Sequence, residues 1–287
     1  MNLKIYTTNE GDNPEEKKLR QIMLRFLNSY YGGSLSRNWS SEKMLETAYG
    51  FREAYKQFCE LLNYFDLAPK AKILDAGCGF GYVTAYGLMN GYDVYGYEID
   101  ENLAQIAQNL LSLYNRDPKR IALWEGEKLP YEDNTFDLIN MHFVIDYISD
   151  VSKTMRELHR VLKPGRKVFI ITPNYLCGFS PVCNILFFPW APRALNRFYL
   201  KCLGRKNMKP LDNLYFLTPW RLNNIFKKDG FVIKEHGQKN WVDIPKNKSF
   251  DDRSGFVTYA GKRFSWFFRL TAKLGFYTPL IYELTKK

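Results

Sequence analysis

Two acids and three glycines give the first chemical signal in the chain. Asp75 lies in a short apolar run, Ile73-Leu74-Asp75-Ala76, and is followed by Gly77, Gly79 and Gly81, with Cys78 between the first two. Glycine is required where a ligand approaches the backbone closely or where a tight turn needs positive φ. A second run, Asp93 to Tyr97, ends in Glu98, about 23 residues past Asp75, a spacing that suits an acid accepting hydrogen bonds from ribose hydroxyls. The pattern predicts a loop that meets a ligand, with an acid on each of two neighbouring strands.

The elements that must position these residues follow from periodicity. Lys72 to Ala76 reads as a buried strand, and Tyr82 to Asn90 as a helix closed by Gly91. A helix over Glu101 to Tyr114, a strand over Arg120 to Trp124, a strand over Phe136 to Phe143, a helix over Asp150 to Leu162 and a strand over Arg166 to Thr172 continue the alternation. Alternation at this period implies parallel strands joined by crossovers, with ligands beyond the strand C-terminal ends. Upstream, Asn13-Pro14-Glu15-Glu16 announces a helix by its cap, its proline and its first-turn acids. A second helix after Ser40-Ser41 carries Met44, Ala48, Phe51, Tyr55, Phe58, Leu62 and Phe65 in one stripe.

The 287 residues are 46% apolar, enough for a full core, and the aromatic fraction of 16% is contact surface for a ligand or a lipid. Net charge is +11 and unevenly spread. Residues 153–287 hold 26 Lys/Arg against 8 Asp/Glu, and residues 1–152 hold 15 against 22. A basic half of this kind favours an anionic partner: membrane headgroups, a phosphorylated substrate or nucleic acid. The five cysteines form no CxxC pair, which fits a reducing cytosol. No apolar run nears the roughly 20 residues needed to cross a bilayer, and no signal peptide is read at Met1 to Tyr6. The expected place is cytoplasmic, with peripheral contact at the membrane inner face as an option.

Four ordered segments carry a family resemblance. They are Asp75-x-Gly77-x-Gly79-x-Gly81, Val94 to Asp100, Leu129-Pro130-Tyr131-Glu132-Asp133-Asn134-Thr135-Phe136-Asp137 and Leu158-His159-Arg160-Val161-Leu162-Lys163-Pro164-Gly165. From about Lys72 to Asn174 the chain resembles class I S-adenosylmethionine-dependent methyltransferases, most closely the methyltransferase type 11 group. The resemblance implies a three-layer, doubly wound Rossmann-like fold with a seven-stranded, mostly parallel sheet and an antiparallel last strand, over residues 279–285. It implies S-adenosyl-L-methionine as cofactor and S-adenosyl-L-homocysteine as product. On this reading Asp75 and the Gly77, Cys78, Gly79 and Gly81 backbone hold the methionine portion and Glu98 the ribose. Glu125, Gly126 and Glu127 meet the adenine, and Tyr82, Ile99, Met141 and His142 complete the cofactor surround.

Methyl transfer from a sulfonium needs alignment, and a base where the nucleophile must lose a proton. The exit of the fourth strand offers His142, Asp146 and Tyr147. His142 could titrate near neutrality or bond behind the strand, Asp146 could act as base but better suits a helix cap, and Tyr147 could orient an acceptor. Many relatives carry Glu-His where this chain has Asp146-Tyr147, and the metal-assisted branch an acid where it has Phe143, so no metal is expected. The signature of enzymes that methylate base amines is absent too, which makes nucleic acid the lesser partner.

Four regions are expected: an N-terminal helical cap over 1–65, a cofactor core over 66–174, a lid insertion over 175–217, and the rest of the core over 218–287 with a second insertion at about 245–276. Tyr30, Tyr31 and Trp39 are further pocket candidates. Lys262 to Leu274 reads as a basic amphipathic helix suited to a membrane interface or to packing on its own domain. The leading expectation is methylation at oxygen of a small-molecule, saccharide or lipid-linked acceptor. An RNA-modifying enzyme and a non-catalytic scaffold are the alternatives.

Overall fold

The structure is a computed structural model that describes residues 13–32, 40–68, 70–124, 126, 128–177, 179–180, 185–186, 191–205, 207, 209–237, 270, 274 and 279–287. Its strands are β1 (Lys72–Ala76), β2 (Asp93–Glu98), β3 (Ile121–Leu123), β4 (Phe136–His142), β5 (Leu162–Thr172), β6 (Phe179–Ser180), β7 (Ile185–Leu186), β8 (Phe231–Glu235) and β9 (Leu280–Lys286). Seven of them form one sheet in the order β3-β2-β1-β4-β5-β9-β8, while β6 and β7 pair separately. Only β9 runs antiparallel to its sheet neighbours, β5 and β8. The expected fold, with its reversed last strand, is borne out.

Nine helices flank the sheet among the described residues: α1 (Pro14–Tyr31), α2 (Ser41–Ala48), α3 (Phe51–Tyr64), α4 (Tyr82–Met89), α5 (Glu101–Leu113), α6 (Val151–Val161), α7 (Arg193–Cys202), α8 (Lys209–Asp212) and α9 (Pro219–Lys228). Strand side chains alternate between two cores, as a pleat of period two requires. Ile73, Leu138, Phe169 and Ile171 join α1 to α5 on one face, and Leu74, Ile139, Val168 and Ile170 join α6 and α9 on the other. Both faces are covered, which is why the central strands are nearly continuous apolar runs.

The two downstream motifs prove to be parts of one brace. Arg160, near the end of α6, reaches the Leu129 carbonyl at 3.2 Å, the Glu157 carboxylate at 3.0 Å and Asp133 at 2.6 Å. Asp137 in β4 accepts from the Lys72 backbone N–H at 3.0 Å and from Lys163 Nζ at 2.9 Å. These bonds tie the starts of β1, β4 and β5 together at the end of the sheet opposite the glycine loop.

Two boundaries differ from the sequence reading. The stripe from Met44 to Phe65 is broken into α2 and α3 at Gly50, whose φ of +100° no helix accommodates. Strand β5 begins at Leu162, not Arg166; Phe136 pairs with Leu162, and the register then shifts before Leu138 pairs with Lys167, so Lys163-Pro164-Gly165 lies within the strand. The predicted helix over Lys262 to Leu274 falls outside the described residues except for Leu270 and Leu274. No helix among the described residues is long and apolar enough to cross a membrane.

Candidate active site

The glycine loop leaves β1 at its C-terminal end, where β2 and β4 flank it and the strand order reverses direction, the place at which doubly wound sheets bind ligands. Gly77, Gly79 and Gly81 all have positive φ, +73°, +55° and +81°. A side chain at Gly77 would strike Val144 at 2.5 Å and one at Gly81 would strike Ala107 at 2.8 Å, whereas nothing lies within 4 Å of the corresponding position at Gly79. The outer glycines are therefore set by close packing, and the middle one presents its backbone to open space.

Glu98 fixes that loop from the end of β2. One carboxylate oxygen accepts the Gly79 N–H at 2.9 Å, and the other accepts Ile99 N–H at 2.7 Å and Asp100 N–H at 3.3 Å. Beneath the loop, Asp75 accepts from Thr84 Oγ1 at 3.0 Å and from Asn140 Nδ2 at 3.2 Å, the latter its register partner on β4. Burial pushes Asp75 up to about 6 and raises Glu98 against the pull of its backbone donors. Among the described residues, the hydrogen-bond partners of the two carboxylates are backbone N–H groups, a hydroxyl and an amide, none of them a cation. Two buried carboxylates without a cation beside them favour a positively charged ligand. Ile99, 54% exposed, offers an apolar surface next to Glu98. Cys78 has its thiol raised by burial, its backbone N–H donating to Tyr97. Tyr82 begins α4 and its hydroxyl faces Met23 of α1. Gly126 has φ +90° and open space around it; Glu125, Glu127 and Trp39 lie outside the described residues.

The three candidate bases separate clearly. His142 is half-buried at the end of β4, and desolvation lowers its pKa to about 4, so it is neutral at physiological pH and weak as a base. Met141 before it is wholly buried. Asp146 sits in a single 3-10 turn, Ile145–Tyr147, and does not cap α6; Asp150 does, accepting from the Lys153 N–H at 2.9 Å. Asp146 is 1% exposed. Its Oδ2 accepts from Tyr175 at 2.6 Å, while Oδ1 has no hydrogen-bond partner among the described residues. Burial pushes its pKa up to about 6. An acceptor oxygen buried and unpaired in this way costs free energy unless a ligand donates to it.

Tyrosines surround that carboxylate. Tyr147 is hydrogen-bonded to Tyr31, and Tyr31 to Tyr49, which links the β4 exit to α1 and to the turn before α3. Tyr49 also packs on Phe80 of the glycine loop, ring centroids 4.8 Å apart, and Phe26 of α1 meets Phe80 edge-on at 5.9 Å. Tyr30 accepts from Asn213 at 2.9 Å. The Tyr215 N–H donates to the Asp146 carbonyl at 2.7 Å. The sequence reading missed Tyr175, Tyr49, Thr84 and Asn140. Tyr175 was detectable only as a polar residue just past a strand C-terminal end, a location it shares with the glycine loop, Ile99 and Asp146.

The geometry defines a doubly wound α/β protein whose glycine loop lies at the switch point of the sheet. Residues 74–170 match the family model described as the methyltransferase domain, which bears out the family resemblance. It is 32% identical over 149 residues to a demethylmenaquinone methyltransferase from Bacillus mycoides, covering 50% of this chain and 62% of that protein. It is 29% identical over 154 residues to a sterol 4-C-methyltransferase from Caenorhabditis elegans, covering 52% of this chain and 44% of that one. The matches thus span about half to three-fifths of these relatives' lengths. A solved structure of a geranyl diphosphate C-methyltransferase from Streptomyces coelicolor, in complex with Mg2+, geranyl diphosphate and S-adenosyl-L-homocysteine, shares the fold with a TM-score of 0.54 at 14% identity, covering 96% of this chain and 99% of that one.

Proposed function

We propose that the protein is an S-adenosylmethionine-dependent methyltransferase that acts at an oxygen of a small-molecule, saccharide or lipid-linked acceptor. The cofactor reading is supported by a cradle that fits it. Gly79 has open space where a side chain would stand, Glu98 and Asp75 supply negative charge with no cation bonded to them among the described residues, and Ile99 supplies an apolar face. When bound, S-adenosylmethionine provides an electrophilic methyl group on a sulfonium. Glu98 would hold the ribose through lone pairs left after its backbone bonds, and Gly126 would lie at the adenine.

The observation that carries the acceptor reading is Asp146 Oδ1, buried and without a hydrogen-bond partner among the described residues. A hydroxyl there donates its hydrogen bond to Oδ1, which orients the acceptor oxygen and takes its proton as it becomes nucleophilic. With a pKa of about 6 the carboxylate is ionised at neutral pH and a stronger base than an ordinary aspartate. Tyr175 holds the other oxygen in place, and Tyr147, Tyr31 and Tyr49 exclude water from one side. Calorimetry of S-adenosylhomocysteine binding tests the cofactor half. Glu98→Ala should weaken binding at least several-fold, and unchanged affinity would show that the ribose lies elsewhere.

A further inference from the structure

Segment 191–217 contains six Lys/Arg and a single acid, Asp212, and its helix α7 has an unusual surface. The inner face is conventional: Asn196 and Leu200 are buried, and Leu200 packs in one cluster with Tyr175, Leu211 and Leu214. The opposite face is apolar and in water. Leu195 is 51% exposed and Phe198 64% exposed, with Leu203 at the helix end 48% exposed. Leu195, Phe198 and the exposed Cys202 fall at steps of three and four, so they form one stripe. Contiguous exposed apolar surface of this kind marks an interaction site.

We propose that α7 is an interfacial helix that docks the protein on an anionic bilayer and brings a lipid-linked acceptor to Asp146. Three observations select a bilayer as the occupant. Large apolar side chains occupy the outward stripe of α7. Exposed cations accompany it: Lys201 on the same helix, and Lys209 at the start of α8. Arg193 and Arg197, both exposed, bond the Leu214 carbonyl at 2.9 Å and Asp212 at 2.6 Å, so they brace the helix. An apolar stripe flanked by basic residues is the pattern of helices that lie in a headgroup layer. The docking face is also one helix thickness from the chemistry, because Leu200 on the inner face packs in the cluster of Tyr175, the residue that grips Asp146. This link to catalysis rests on the proposed role of Asp146; the docking itself does not.

The test is co-flotation of the full chain with phosphatidylcholine vesicles and with vesicles of two parts phosphatidylcholine to one part phosphatidylserine. The wild type should float with the second kind and lose binding as salt is raised. Leu195→Glu/Phe198→Glu should reduce flotation at least about 10-fold, the factor set by losing the burial of one large apolar side chain. S-adenosylhomocysteine binding by that variant reports that it remains folded. No flotation of the wild type, or equal flotation of the folded variant, overturns the proposal. So does a vesicle-independent dimer in sedimentation velocity that the double variant dissolves, which would assign the stripe to a second copy of the chain. Asp146→Asn should float as the wild type does, so a failure of docking and a failure of the catalytic reading give different results.

Discussion

Replacing Asp146 with Asn should damage catalysis and strengthen the fold at once. The carboxyl moves from its ordinary 3.8 up to about 6 in the folded chain, chiefly through burial. At roughly 1.4 kcal/mol per unit, the folded state withholds on the order of 2–3 kcal/mol from the charged form. The sign follows from proton uptake. The folded protein binds this proton more tightly than the unfolded chain, so the neutral acid costs nothing at low pH and the penalty develops as pH rises from about 4 to about 6. Asn carries no charge and is free of it. Urea denaturation should therefore find Asp146→Asn close to wild type near pH 4 and more stable by on the order of 2–3 kcal/mol above about pH 7. Turnover should fall about 10²- to 10⁴-fold, the range for loss of a general base. The wild-type rate should rise through about pH 6 and then level, and the variant should lack that rise. A variant with wild-type turnover and an unchanged pH limb would refute the catalytic argument, and one less stable than wild type at high pH would refute the electrostatic one.

Other substitutions probe neighbouring parts of the site. Tyr175→Phe removes the hydroxyl that lowers the Asp146 pKa, so the acid limb of the rate profile should move to higher pH; a purely structural role would leave the limb in place. Gly77→Ala must adopt φ +73° and place a methyl 2.5 Å from Val144. It should lower stability by more than the roughly 1–2 kcal/mol of the left-handed backbone alone and weaken cofactor binding, as read by thermal melts with and without S-adenosylhomocysteine. His142→Gln should keep the pH dependence of turnover, because the imidazole is already neutral down to about pH 4. A shifted limb in that variant would return the base to His142.

The sheet was legible because its strands alternate with helices at a regular period and because buried parallel strands leave apolar runs. The loop was legible because positive φ at Gly77, Gly79 and Gly81 leaves few alternatives to glycine. What was hidden depended on contacts between distant residues. Asp146, just past a strand and before a helix, reads locally as a cap, and only its burial and the hydroxyl of Tyr175, 29 residues on, reveal an acid with one oxygen that no described residue bonds. The start of β5 was hidden because a Pro-Gly pair signals a turn, while pairing with Phe136 keeps Leu162 in the strand. The outer face of α7 could not be read either, since an apolar stripe in sequence is ordinarily a buried one, and here the buried face is the narrower side of Asn196 and Leu200.

The most direct test of the account is transfer of label from radiolabelled S-adenosylmethionine into a source-cell extract separated into lipid, carbohydrate, nucleic acid, protein and small-molecule fractions. Label should enter the lipid, carbohydrate or small-molecule fraction with wild type and be lost with Asp146→Asn. Label in RNA, or label undiminished in Asp146→Asn, would contradict it.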